Sequence, residues 1–165
     1  MQLTSQEEYG LRCLLRLAQA GSGTILSLHE ISQGEAISIP HAAKLMRVLR
    51  EGGLVVSERG QAGGYQLSRS PDRISAKEAL QVLGGDFYGG EFCGRFSGNE
   101  DLCTHTIDCS IRSLWRAVQA AVDQLLSRTS LRDLMCSEPE MDRFVGELVV
   151  LTGATTSSAA GAQHG

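Results

Sequence analysis

The sequence of 165 residues contains no uninterrupted apolar run long enough to cross a bilayer, which requires about 20 consecutive residues in a helix. Its first ten residues, MQLTSQEEYG, also lack the basic and apolar region of a secretion signal. Both absences predict a cytoplasmic protein that does not act at a membrane. There is no internal repeat, and the length suits one domain with a genuine core, or a small domain with an assembly element, rather than two independent enzymes.

The sequence also lacks an even number of cysteines, because it contains five. Without a secretion signal, an odd count argues against a disulfide framework and favours thiol or metal chemistry in a reducing compartment. Three of them, Cys93, Cys103 and Cys109, fall within one stretch. Cys13 lies in a helical pattern and Cys136 near a short helix end, where small buried thiols are common, so we interpret both as structural.

Net positive charge is absent too. The formal net charge is -4, and global negative charge repels phosphates, so the chain as a whole gives no support to nucleic-acid binding. The distribution differs, because residues 38–70 contain five basic and two acidic side chains, a local net charge of +3. The sequence therefore allows a basic face on an acidic protein.

Apolar residues at helical spacing predict a first helix over residues 5–20, ended by glycines. A second, short helix is expected to begin at Ser27, because Ser27 and Glu30 have the spacing of a capping box. Gly34 is expected to stop it.

A third helix is predicted over residues 40–51, with Ser38 as its candidate N-cap. His41, Lys44 and Arg47 are expected to face outward from it. Two short strands follow at residues 54–57 and 65–68, joined by a glycine-containing loop. Three helices and a hairpin in this order predict a winged helix-turn-helix.

The second half of the sequence is predicted to contain a helix, a cysteine-rich loop and a long helix. The fourth helix starts at Ser75 and ends near Gly84. The fold class is therefore mainly α with a small β wing, in which a winged helix-turn-helix domain is followed by a long dimerisation helix. We divide the chain into four regions. The winged domain covers residues 1–74, and the helix with its cysteine loop covers residues 75–110. The dimerisation and closing helices follow at residues 111–150, and residues 151–165 form a disordered tail without core-forming residues.

The long helix after Cys109 carries a broad apolar stripe over more than four turns. Part of this stripe could cover the first helix, but a stripe this wide is more economically buried against its own copy in a two-fold dimer. Its members are Ile111, Leu114, Trp115, Val118, Val122, Leu125 and Leu126.

In a helix-turn-helix, the second helix of the motif enters the major groove, its first side chains meet base edges, and basic residues hold phosphates. The corresponding residues here are Ser38, Ile39, Pro40 and His41, followed by Lys44 and Arg47. Taken alone, these basic residues favour the plainer interpretation of an ordinary solvated face, which is the commoner role of such groups.

The wing favours the DNA-binding interpretation. Arg59 lies at the hairpin tip beside glycines that permit close backbone approach, as insertion into a minor groove requires. A tight solvent-exposed turn is the plainer alternative, but it does not explain why this tip follows a recognition-like helix. The candidate wing residues are Arg59, Gly60, Gly63, Gly64 and Tyr65.

The cysteine-rich segment, residues 84–109, contains six glycines and the three clustered cysteines. Thiolates that converge among close backbone amides are what a soft metal or an iron–sulfur cluster requires. A structural zinc site formed by the three cysteines and His105 is one alternative. A thiol-based sensor or enzyme is another, although the sequence shows no dedicated base or substrate motif.

Several motifs together resemble the Rrf family of bacterial winged-helix transcription regulators, the group that contains IscR, NsrR and RirA. They are LTS at 3–5, EY at 8–9, LR at 11–12, ISIP at 37–40, GLV at 53–55, SERG at 57–60, GGY at 63–65, and Cys109 with LWR at 114–116. The resemblance covers nearly all of residues 1–150. It implies a homodimer in which three cysteine ligands of an iron–sulfur cluster precede the dimer helix.

Under this resemblance, Cys93, Cys103 and Cys109 take the three ligand positions. The nine residues between the first two exceed the gap of better-known members, whereas the five between the last two match. Loop entropy grows only with the logarithm of length, so the longer loop can still close. The cluster type stays open, with 4Fe-4S preferred to 2Fe-2S.

The fourth ligand distinguishes branches of the family. One branch places a histidine three residues after the last cysteine, where this sequence has Arg112, which cannot ligate while protonated. In the nitric-oxide-sensing branch, a carboxylate near the amino terminus of the partner subunit completes the site, and Glu8 occupies the matching position. His105 remains a local alternative. Glu8 also suits the first turn of a helix simply because of the helix dipole.

The resemblance therefore implies a regulator, not an enzyme. It is expected to bind double-stranded DNA at a palindromic promoter site with an affinity set by the cluster, and to take no small molecule beyond a redox, iron or gaseous signal.

Overall fold

The computed structural model describes residues 3–58, 60, 63–86, 88 and 109–157, with residues 151–157 described through their backbone only. In these ranges the chain is mainly helical with one short hairpin, as the sequence predicts. None of the helices described is long and apolar enough to cross a bilayer.

Six helices and two strands follow one another in the described ranges. The helices are α1 (Ser5–Ala20), α2 (Leu28–Glu35), α3 (Ile39–Glu51), α4 (Ala76–Leu83), α5 (Ser110–Arg128) and α6 (Glu138–Ser157). The strands β1 (Val55–Glu58) and β2 (Gly64–Leu67) pair antiparallel. Short 3₁₀ turns lie at Pro71–Arg73 and Asp133–Met135. The predicted winged helix-turn-helix is confirmed.

Hydroxyl side chains start the first four helices. Thr4, Ser27, Ser38 and Ser75 each accept a hydrogen bond from a backbone amide in the first turn. The capping box predicted at Ser27 is present. These caps satisfy amides that have no partner inside the helix, which contributes about 1 kcal/mol each.

The apolar faces of α1, α2 and α3 meet in one core. Its fully or almost fully buried members include Cys13, Leu14, Leu17, Ile31, Ala42, Leu45, Met46 and Leu49. Each large side chain buried there contributes about 1.5–3 kcal/mol. Helix α4 packs against α1 at Gly10, where an added Cβ atom would lie 2.3 Å from Cδ2 of Leu83. The glycine therefore allows the two helices to touch directly.

Helix α2 does not stop at Gly34. It ends at Glu35, and Ala36 then adopts the left-handed conformation with φ 53°. Gly34 instead makes room for Arg16, because a Cβ atom there would lie 2.4 Å from the guanidinium carbon. The amide of Ile37 donates to the carbonyl of Ser32, which closes the helix end.

The wing is tied to the segment that connects α1 and α2. Leu26 and Tyr65 exchange two backbone hydrogen bonds, of 2.9 and 2.8 Å. A Cβ atom on Gly64 would lie 2.3 Å from the carbonyl oxygen of Leu26. The hairpin therefore has a backbone partner on the body of the domain.

Helix α5 is fixed to α4 near its carboxyl end. The amide of Ala76 donates to the carbonyl of Thr129 at 2.7 Å, and Lys77 pairs with Asp123 at 2.9 Å. Both members of the ion pair are largely shielded from solvent, with 30% of each side chain exposed.

The predicted tail needs one correction. Helix α6 continues to Ser157, seven residues past the predicted start of the tail. A glycine such as Gly153 costs a helix about 1 kcal/mol relative to alanine but does not necessarily end it. Residues 158–165 lie outside the described ranges.

Candidate functional site

Helix α3 presents one face to the core and the other to solvent. Ala42, Leu45, Met46 and Leu49 are fully buried. Because this inner stripe fixes the rotation of the helix, Ile39, Pro40 and the basic side chains are exposed on its other side. This is the geometry that a recognition helix requires.

The two predicted phosphate contacts, Lys44 and Arg47, are both exposed on α3. Arg47 forms an ion pair of 3.1 Å with Glu51, one helical turn further on. Both partners of this pair are more than half exposed. Such a pair contributes about 0.3–0.5 kcal/mol, so a DNA phosphate can compete with Glu51 for Arg47.

His41 does not face outward as expected. Its ring is half-buried and meets the ring of Tyr9 in α1 edge-on, with 5.5 Å between the centroids. The guanidinium of Arg12 lies over the other ring, 5.2 Å from the centroid of Tyr9. The sequence gives the helical position of His41 but not its long-range partner, so this contact was missed. A role for His41 at DNA stays a prediction.

The wing residues divide into those described and Arg59, which lies outside the described residues. Gly60 is exposed and has φ 144°, a conformation that favours glycine. A Cβ atom on Gly63 would lie 2.8 Å from the carbonyl oxygen of Glu58. Tyr65 is half-buried against the core. Gly63, Gly64 and Tyr65 therefore have a packing role in the wing, whether or not they also touch DNA.

Only one of the three predicted cysteine ligands lies in the described part of the chain. Cys93, Cys103 and the alternative ligand His105 lie outside it. Cys109 is half-buried and caps α5, where its sulfur accepts a hydrogen bond of 3.3 Å from the amide of Arg112.

Glu8 is exposed in the first turn of α1. The neighbouring acid, Glu7, is buried, and its carboxylate accepts hydrogen bonds of 2.7 Å from both the amide and the hydroxyl of Thr4. Glu7 is therefore occupied by capping, whereas Glu8 projects from the helix. Among the described residues, which do not include Cys93 and Cys103, no three metal-binding side chains converge.

The first turn of α1 contacts the start of the cysteine-rich segment. The side-chain amide of Gln6 donates to the carbonyl of Leu83 at the end of α4. A Cβ atom on Gly84 would lie 2.3 Å from Oε1 of Glu7. Sequence reasoning missed this contact, although the spacing of Thr4 and Glu7 is that of a capping box and could have singled out Glu7.

The same segment is also anchored to α5. The amide of Tyr88 donates to Oε1 of Gln119 at 2.8 Å, and Gln119 donates to Asp123 at 2.7 Å. Asp123 in turn pairs with Lys77 of α4. A chain of polar contacts therefore links the beginning of the segment to both helices.

A buried carboxylate joins α1 to the end of α2. Glu35 has 10% of its side chain exposed and accepts from Arg12 at 2.9 Å and from Arg16 at 3.0 Å. The hydrogen bond to Glu35 raises the pKa of Arg12. Two guanidinium groups compensate the cost of removing one carboxylate from water.

The two remaining cysteines differ from each other. Cys13 is fully buried, and desolvation raises its pKa to about 12, which keeps it a neutral thiol. Its interpretation as a structural thiol is supported. Cys136 is exposed, so the expectation of a buried thiol is wrong there, because the residue follows a short 3₁₀ turn that leaves it at the surface.

These features define a winged helix-turn-helix transcription regulator. A family model described as Rrf2, "Iron-dependent Transcriptional regulator", matches residues 3–137. The chain therefore belongs to the Rrf2 family, and the resemblance found in the sequence is confirmed. Its relatives are transcription regulators, so the expectation that it is not an enzyme is also confirmed.

Three relatives illustrate the range of the family. "Protein rrf2" from Nitratidesulfovibrio vulgaris strain Hildenborough is 32% identical over 137 residues, 82% of this chain and 87% of that protein. The structure of CymR from B. subtilis, described as the global cysteine regulator, is 30% identical with a TM-score of 0.67, covering 82% of this chain and 96% of CymR. T. potens IscR is 28% identical with a TM-score of 0.64, covering 82% and 86%.

Proposed function

We propose that this regulator binds DNA in a manner that depends on an iron–sulfur cluster, and that it acts in the cytoplasm as a homodimer on a palindromic promoter site. Cys93, Cys103 and Cys109 of one subunit hold the cluster, and Glu8 of the partner subunit completes it. The signal is redox change, nitric oxide or iron supply. The description of the family as iron-dependent supports this proposal.

The observation that carries the proposal is the position of the cysteine-rich segment between two anchored ends. It leaves α4 beside Gln6 in the first turn of α1 and returns at Cys109, the cap of α5. The donor set of three thiols and one carboxylate fits iron–sulfur coordination. The amide on the sulfur of Cys109 adds the hydrogen bond that tunes such ligands.

When bound, the cluster supplies a centre that reacts with oxidants or nitric oxide and can lose iron. A carboxylate binds such iron more weakly than a thiolate does, so Glu8 would be the most weakly held of the four ligands. Glu8 is followed by Tyr9, which contacts His41 in α3. Movement of the first turns of α1 therefore reaches the recognition helix.

Dimerisation is proposed through α5. Ile111 and Leu114 are each 57% exposed and Trp115 is 40% exposed. They lie together at the amino-terminal half of α5, directly after Cys109. A second copy of the chain would bury this face by a two-fold contact, which also brings two recognition helices to two half-sites.

Purification without oxygen, followed by iron and sulfide analysis and promoter binding, tests the proposal. We expect a brown protein with stoichiometric iron and acid-labile sulfide, and a promoter affinity that changes when the cluster is removed. Alanine at Cys93, Cys103 or Cys109 should abolish the colour, whereas alanine at Cys136 is the matched control and should retain it. Absence of iron and sulfide after reconstitution would overturn the cluster. A colourless protein that contains zinc would favour a structural zinc site.

The fourth ligand needs its own comparison. Glu8→Gln removes a charged oxygen donor without changing shape, and His105→Gln removes the alternative ligand. If Glu8 ligates, only Glu8→Gln should shift the visible spectrum and speed cluster loss. The reverse pattern would assign the ligand to His105.

A further inference from the structure

The first turn of α3 offers the groove apolar rather than polar side chains. Residues 38–44 are all described, and Ile39 is 47% exposed while Pro40 beside it is exposed as well. The hydroxyl of Ser38 is engaged as the N-cap, accepting from the amide of His41. The ring of His41 is directed at Tyr9. The Ser38 oxygen and the His41 ring therefore each have a contact within the domain, whereas Ile39 and Pro40 are exposed.

Exposure of a single isoleucine is common on protein surfaces and carries no argument by itself. The position of Ile39 is what matters, because it is the first residue of the helix that a winged helix-turn-helix places in the major groove. The major groove displays one apolar group, the C5-methyl of thymine, and apolar side chains recognise it by contact.

The turn before α3 holds Ile39 in place. The hydroxyl of Ser32 donates to the carbonyl of Ile37 at 2.6 Å, and the amide of Ile37 returns a bond of 3.1 Å to the carbonyl of Ser32. The ring of Pro40 fixes φ at the second helical position. Ile39 is thus presented on a rigid backbone, which lowers the entropy lost when it contacts DNA.

We propose that Ile39, with the ring of Pro40 beside it, is a specificity residue that reads a thymine methyl group in each half-site. Lys44, one turn further on, supplies phosphate attraction without distinguishing thymine from its unmethylated counterpart. This inference rests on the proposed DNA-binding role of α3 and adds the base that the helix selects.

Replacement of thymine by uracil tests the idea, because uracil lacks only the methyl group and keeps every hydrogen-bonding group. A binding site is first selected from random duplexes with the wild-type holoprotein, and each thymine is then replaced singly. For the wild type, we expect one thymine per half-site at which uracil weakens binding about 4-fold, the value of one buried methylene. Replacement in both half-sites should weaken binding about 16-fold.

Ile39→Ala should bind the thymine and uracil duplexes equally. For Ile39→Val, the ratio of thymine to uracil affinity should lie between the ratio of Ile39→Ala and that of the wild type. Lys44→Ala is the control, because it should weaken binding to both duplexes by the same factor and leave the ratio of their affinities unchanged. Val150→Ala removes a similar apolar group from an exposed position on α6. It should change neither the affinity for the duplexes nor the ratio between the two affinities. Circular dichroism melting confirms that the variants fold.

The outcomes separate this inference from the function on which it rests. Equal binding of thymine and uracil duplexes by the wild type at every position would overturn the role of Ile39 and leave DNA binding intact. A wild-type protein that selects no duplex would overturn the DNA-binding role of α3 itself. An unchanged thymine preference in Ile39→Ala would assign the reading to another residue.

Discussion

The ring of His41, at the start of the recognition helix, meets the ring of Tyr9 in α1 at an interplanar angle of 73°. Tyr9 directly follows Glu8, the proposed ligand, and its ring also contacts the guanidinium of Arg12. Edge-to-face aromatic pairs contribute about 0.5–1.5 kcal/mol beyond the area that they bury. This contact is the route that we propose between the first turns of α1 and the recognition helix.

Replacing Tyr9 by leucine should weaken this transmission while leaving the cluster in place. Promoter affinity would be measured for the holo and apo forms of each protein. The ratio between the two affinities is expected to fall by as much as about 10-fold, the equivalent of the aromatic contact. Tyr9→Phe keeps the ring and serves as the control. An unchanged ratio in Tyr9→Leu would show that the signal takes another route.

Glu35→Ala should destabilise the domain, because it leaves Arg12 and Arg16 without their shared carboxylate. Since both arginines are about 40% exposed and water screens them, we expect a loss of about 1–3 kcal/mol in the free energy of unfolding. Urea denaturation measures it. Glu51→Ala breaks an exposed pair and should cost less than about 0.5 kcal/mol. Equal effects of the two variants would contradict the structural role of Glu35.

Glu51→Gln should tighten DNA binding, because it frees Arg47 for phosphate and removes a negative charge from the recognition face. We expect an increase of about 2-fold per subunit, the equivalent of the lost exposed pair. Affinity is measured over a range of salt concentrations, and the dependence on salt should steepen. Glu147→Gln, an exposed change on α6, should have no effect. Weaker binding by Glu51→Gln would argue against Arg47 as a phosphate contact.

Gly64→Ala should loosen the wing, because the new methyl group would collide with the backbone of Leu26 rather than with a movable side chain. A loss of about 1–3 kcal/mol is expected from such overpacking, seen as a lower melting temperature. Gly146→Ala is the opposite case, since a Cβ atom there meets nothing within 4 Å in α6. It should stabilise the protein by about 0.4–1 kcal/mol. A harmless Gly64→Ala would show that Leu26 and the wing can separate.

Cys13 should make stability depend on pH above neutrality. Burial raises its pKa from about 9 to about 12, so between these values the unfolded chain has lost a proton that the folded chain retains. The contribution is complete below pH 9 and is lost as pH rises towards 12, by at most about 1.4 kcal/mol per unit. Cys13→Ala removes this pH-dependent contribution to the free energy of unfolding. The stability difference between wild type and Cys13→Ala should therefore narrow from pH 9 to 11, and a constant difference would contradict the buried neutral thiol.

Much of the fold could be predicted from the sequence because it depends on local signals. Apolar spacing gave the bounds of α1, and hydroxyl caps gave the starts of α2 and α4. The end of α2 could not be predicted, since Ala36 rather than a glycine takes the left-handed conformation there. Gly34 has another role, because Arg16 from a different helix occupies the space beside it.

The site was less predictable, for the same physical reason. The residue types of Cys109 and Glu8 indicate ligands, but the contact of His41 with Tyr9 and that of Gly64 with Leu26 join residues far apart in the sequence. Spacing along one helix or strand carries no information on such contacts. From the sequence, a glycine next to a basic wing tip fits both insertion into a DNA groove and close packing within the domain. The close packing of Gly64 becomes visible only when the position of Leu26 is known.

The cysteine-rich segment is attached to α5 both near its start and at its end. Tyr88 is held by Gln119, and Cys109 caps the same helix ten residues earlier, a distance of about 15 Å along its axis. Because both anchors lie on one helix, a change in the number of residues between them does not require α5 to tilt. The proposed sensing segment can therefore vary in length between relatives while the helices that read the operator keep their geometry.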